Sequence, residues 1–147
     1  MAAINSVPQG TLSRLRGAVL WAAFPALNVT APFLGPEGIS LGFEGNMVDM
    51  PATLTGVVTS PAVFIMARVT MQLLKTQGLS DNYKQQWELD ARLGDCTVRV
   101  DTTTMGPFQF SNCAIENVDT LLLNGSTPAL LVRIAGQYQV NAALWNL

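Results

Sequence analysis

The sequence predicts a mainly β domain: an antiparallel β-sandwich or partial barrel of five to seven strands with one flanking α-helix. Three observations carry this. Residues 63–72 and 130–140 alternate apolar and polar side chains, the period of a half-buried strand. Twelve glycines and eight prolines punctuate the 147 residues at short intervals. Helical spacing is clear only after Ser80.

Taken in order, residues 1–13 read as an extended arm, because Pro8 and Gly10 oppose helix. An apolar stretch at 17–24 follows and ends at Pro25. Arg14 and Arg16 ahead of it imitate a signal peptide, but a polar lead-in with a proline and a glycine favours a strand or arm. Pro32, Gly35, Pro36 and Gly38 mark a turn, and 39–44 alternates as a strand. Residues 45–61 form a long apolar loop carrying only Asp49 as a charge. A disordered loop should be charged, so this one is expected to be buried by a neighbouring subunit through Met47, Val48, Met50 and Leu54.

In the strand Val63–Gln72, Val63, Ile65, Ala67, Val69 and Met71 share one face. Arg68, Thr70 and Gln72 share the other. Ser80 reads as a helix N-cap with Asp81 in the first turn. Tyr83, Trp87 and Ala91, at i, i+4 and i+8, give an aromatic stripe for core packing, and Gly94 is expected to stop the helix. Strands at 96–101 and 108–115 flank a turn at 102–107, and Asn124-Gly125 marks another turn. The last strand sets Leu130, Val132, Ile134, Tyr138 and Val140 against Arg133, Gln137 and Gln139, with Gly136 in the apolar row. The tail 142–147 is apolar, and its Leu144, Trp145 and Leu147 call for a pocket on a neighbour.

Composition narrows the function. Hydrophobic residues make up 49% and charged residues only 12%, about half the usual share. A monomer of this mass has a surface of about 7,000 Å², which eighteen charges cover thinly. The uncharged remainder points to an oligomer. There is no histidine, so a Ser-His-Asp triad and histidine metal sites are excluded. A net charge of −2 opposes strong phosphate binding.

Cys96 and Cys113 form no Cys-x-x-Cys pair and read as buried free thiols, with a bridge as the alternative. No nucleophile elbow, phosphate cradle or calcium loop occurs, and the carboxylates fall mostly on turns, loops and the helix. The expectation is a building block, neither an enzyme nor a cofactor carrier.

The order of features resembles the tail tube proteins of long-tailed bacteriophages, especially the small tube subunits of contractile tails. Four passages carry the resemblance: Val63–Gln77, Gly94–Asp101, Phe108–Ile115 and Val132–Asn141. It implies hexameric rings in which subunits share one continuous barrel, stacked into a hollow tube that conducts DNA into the host. It also implies sheath, baseplate and tape-measure proteins as partners, and residence in the virion tail after assembly in the host cytoplasm. In such a ring the lumen candidates are Ser40, Glu44, Arg68, Thr70, Gln72, Arg133, Gln137 and Gln139. Stacking would use residues 1–13, 45–61 and 142–147. The two arginines call either for acidic partners or for the opposite assignment of faces. The alternatives are a tube-like baseplate or type VI secretion protein and, from another class, a secreted β-sandwich binding module of adhesin or carbohydrate-binding type.

Overall fold

The structure, a computed structural model, describes residues 17–99 and 106–144. The expected N-terminal arm, the turn from 102 to 105, Trp145 and Leu147 lie outside the described residues.

Alternation along the chain builds one curled antiparallel sheet. Its strands are β1 (Ala18–Trp21), β2 (Leu34–Glu44), β5 (Phe64–Leu74), β6 (Arg92–Arg99), β7 (Phe108–Val118) and β8 (Ala129–Gln139), in the order β1-β6-β7-β8-β5-β2. A separate two-stranded hairpin, β3 (Val48–Asp49) and β4 (Ser60–Pro61), projects between β2 and β5. Of the two expected architectures, the partial barrel holds. The curl brings the Ile39 side chain near Gly17, which leads into the opposite edge strand.

The centre of the sheet is the pairing of β5 with β8, continuous from Phe64↔Gln139 to Leu74↔Ala129. Ile65, Ala67, Val69, Met71 and Leu73 are buried from β5, and Leu130, Val132 and Ile134 from β8. Successive strand side chains point to opposite faces, so one face of both strands is core and the other is not. Gly136 occupies the core row because a Cβ there would lie 2.6 Å from Cys113 Sγ.

The helix α1 (Gly78–Leu89) crosses from the end of β5 to the start of β6 and covers the core. It begins two residues before Ser80, and Ser80 is no cap: its Oγ donates to the Gln77 carbonyl at 2.8 Å. It ends at Leu89, not at Gly94. Gly94 lies within β6 at φ +83, where the register with β7 shifts, so its conformational freedom serves a bulge and not a helix stop. Of the aromatic stripe, Tyr83 is fully buried, while Trp87 and Ala91 pack at the core's margin.

Tyr83 joins helix to sheet. Its hydroxyl accepts from Trp21 Nε1 at 2.9 Å and donates to the Leu27 carbonyl at 2.6 Å. Burial pushes this phenol well above the usual tyrosine range, so it stays a neutral donor and acceptor. No buried side-chain nitrogen or oxygen among the described residues lacks a partner.

Three further boundaries differ from the sequence reading. The turn expected at 32–38 is a short 3₁₀ turn (Ala31–Phe33) running into β2, whose register with β5 shifts between Leu34 and Ile39. Val63 precedes β5 and is 44% exposed instead of joining the buried row. Strand β7 runs three residues past Ile115, which adds Glu116, Asn117 and Val118 to the sheet.

Candidate assembly surfaces

Among the described residues, the surfaces left after the core is closed include a polar sheet face, an unpaired edge and an apolar hairpin. The polar face carries all eight residues read from the sequence as lumen candidates. Register fixes this in rows. Ser40 pairs with Thr70, Thr70 with Arg133, and Arg133 with Asn117. Glu44 pairs with Met66, Met66 with Gln137, and Gln137 with Ser111. Gln139 stands opposite Phe64 at the end of the ladder, and the Gln72 side chain lies across Gly35.

Arg68 sits between these rows, with only small neighbours: Gly42 on one side, Ala135 and then Ala114 on the other. Those small side chains leave its guanidinium room to reach diagonally to both flanks. Its Nε donates to Glu44 and its Nη1 to Glu116. The two carboxylates hold the Arg68 pKa above its ordinary value, Glu116 more than Glu44. Arg133 donates to Asn117 Oδ1 and Asp119 Oδ2, each at 3.4 Å, and Asn112 donates to Gln137 Oε1 at 3.2 Å. Both arginines are therefore paired with acids. On this face Arg68 meets Glu44 and Glu116, and Arg133 meets Asp119 just beyond β7.

Sequence reading missed Glu116, Asn117 and Asp119. The register with β8 shifts between Ile115 and Asn117, and two polar residues in succession read as the end of the strand.

The edge is β2. It spans eleven residues and, among the described residues, pairs on one side only, with β5. The opposite edge strand, β1, is met on its outer side by Val29, which exchanges both backbone hydrogen bonds with Val19 at 2.8 and 2.9 Å. Among the described residues, one edge of the sheet is thus partly covered by its own chain, and the other is left as a template for pairing.

The hairpin replaces the irregular loop expected at 45–61. Val48 pairs with Pro61, Asp49 with Ser60, and Ala52 with Val57. Thr53 closes the tip by donating from its amide (2.7 Å) and its hydroxyl (3.0 Å) to the Gly56 carbonyl. The base is pinned by Asn141, whose Nδ2 donates to the carbonyls of Met47 and Ala62 at 2.9 Å each. Met47, Val48, Met50 and Leu54 are exposed, Leu54 completely. Leu144, in the turn that follows Asn141, is 61% exposed.

The same end of the sheet carries an aromatic group that sequence reading did not assemble. Phe43, Phe108 and Phe110 surround Tyr138 with ring centroids 5.1, 6.3 and 5.6 Å away. Tilted packing of this kind stabilises beyond simple burial.

Cys96 and Cys113 are buried free thiols. Contact with Cys113 and burial push the Cys96 thiol up, so it stays neutral. Among the described residues no group of three or more histidines, cysteines or carboxylates could hold a metal ion. No helix of the described residues is long and apolar enough to cross a membrane.

No family model and no curated protein matches the sequence. Among solved structures the chain is similar to the cap of the anti-feeding prophage, its tube terminating cap, at 11% identity and a TM-score of 0.47 over 92% of each chain.

Proposed function

We infer that this chain is a structural subunit of a phage-type tail tube. Copies join edge to edge into hexameric rings, and the rings stack into a hollow tube that conducts DNA into the host. It works without catalysis or cofactor, beside sheath, baseplate and tape-measure proteins, in the virion tail. The observation that carries this reading is the unfinished state of the fold among the described residues: β2 pairs there on one side only, next to a hairpin whose apolar side chains are exposed. Edge pairing between copies satisfies the first, and stacking covers the second.

The polar face suits a channel. DNA binding strengthens with each phosphate neutralised by Lys or Arg, through counterion release. Here Arg68 and Arg133 already bind carboxylates of their own sheet. A passing duplex would meet a face with no surplus of positive charge, and would slide.

Electron microscopy of the purified chain at high concentration tests the reading. Rings or hollow filaments with six-fold symmetry are expected. A chain that stays a compact monomer at millimolar concentration overturns it. Deleting residues 45–61 should leave rings but abolish stacking; a deletion variant that still forms tubes removes the hairpin from the stacking role.

A further inference from the structure

The hairpin has a matching surface at the opposite end of the same sheet. Strands β7 and β8 are joined by residues 119–128, and three consecutive leucines in this connection face outward: Leu121 is 43%, Leu122 49% and Leu123 86% exposed. Residues 120–128 carry no charge. The connection is nonetheless well built. Lys75 Nζ donates to the Leu122 carbonyl and, at 3.0 Å, to that of Thr127. Asn124 Oδ1 accepts from the amides of Ser126 and Thr127 at 3.1 and 2.8 Å. Leucines held outward on a fixed turn lose little freedom on binding.

We propose that the hairpin of one copy seats on the Leu121–Leu123 surface of the next copy along the tube, with Asp49 toward Lys75. This rests on the tube reading and names the stacking partner of its hairpin. Charge complementarity selects the occupant. Asp49 is the hairpin's only charge. At the leucine end Arg133 is already held by Asp119, whereas Lys75 faces carbonyls, which engage two of its three donors. Apolar surfaces flank both charges.

The contact cannot form within one copy. The two ends are separated by eleven-residue strands, about 36 Å at 3.3 Å per residue. A surface at one end that fits a different surface at the other is heterologous, so each contact leaves a free hairpin and a free leucine surface. Such a contact does not close on itself and propagates as a stack.

Three full-chain variants test it: Leu54→Asp on the hairpin, Leu122→Asp with Leu123→Asp on the other end, and Leu89→Asp as a control. Leu89 is 84% exposed on α1 and lies outside the contact. All three should melt like the parent, because the altered side chains are exposed. Sedimentation should show the critical concentration for stacking raised at least about tenfold by the first two variants and unchanged by the control. An equal mixture of the first two should form a complex of two assemblies and nothing longer, since only one intact pair of surfaces remains. A leucine-end variant that stacks like the parent, a mixture that forms no complex, or a control that blocks stacking overturns this contact while leaving the tube reading in place. A parent chain that forms no rings overturns both.

Discussion

The two ends of the sheet are made of similar residues and meet opposite fates. Where β5 runs into α1, the chain returns over the apolar surface beside β1 and leaves the leucines of the β7–β8 connection outside that cover. Trp21, Leu27 and Tyr83 are at most 3% exposed there, and the side-chain polar atoms of Trp21 and Tyr83 all have partners. At the other end the chain turns away into a hairpin, and Met50 and Leu54 are 63% and 105% exposed. Hydrophobicity does not separate the ends. The presence of a covering element does, and at the hairpin end the chain supplies none among the described residues. An apolar surface that is ordered yet uncovered belongs to an interface and not to a core.

Substitutions at the covered end should sharpen that contrast most. Tyr83→Ala removes a fully buried ring and leaves Trp21 Nε1 and the Leu27 carbonyl unpaired. Large-to-small changes of this kind cost about 3–5 kcal/mol, so urea unfolding of the dispersed protein should show a midpoint far below that of the parent. A loss under about 1 kcal/mol, within the range of ordinary substitutions, would mean that α1 does not close this end.

Gly136→Ala should have an intermediate effect, because its new Cβ would meet Cys113 Sγ at 2.6 Å. Overpacking costs about 1–3 kcal/mol. The double variant with Cys113→Ala should recover part of the loss, since the clashing sulfur is gone and the next atom, Phe110 Cβ, is 3.4 Å away. No recovery would place the strain in the backbone and not at the thiol.

At the uncovered end the effect on folding should be smallest. Leu54→Ser removes an apolar side chain that touches water on all sides, and thermal unfolding should shift by less than about 0.5 kcal/mol. The same change should weaken stacking. Comparable losses of folding and stacking would put the hairpin inside the subunit's own core and erase the difference between the ends.

Much of this fold was legible from pattern. Residues 63–72 and 130–140 alternate so regularly that their faces could be assigned residue by residue, and all eight polar candidates were read from that alternation and from the strand 39–44 beside them. The strand boundaries at Gly94 and Ile115 were not legible. A bulge inserts one residue and breaks the two-residue alternation, so Gly94 looks like a helix stop and Glu116 looks like a loop acid. Ser80 failed as a cap for a related reason: a hydroxyl can bond the preceding carbonyl from inside the first turn as easily as it can cap an amide.

The sequence by itself determined the mainly β class, the single helix, the two faces of the central strands and the exclusion of histidine chemistry, because these follow from period and composition. Tertiary structure alone decided that Arg68 is bracketed by Glu44 and Glu116, that Phe43, Phe108, Phe110 and Tyr138 gather at one end, and that three leucines stand opposite the hairpin. The physical reason is that these relations join residues up to about a hundred positions apart, through register and the direction of each strand, and no local pattern in a chain encodes which strand will lie beside which.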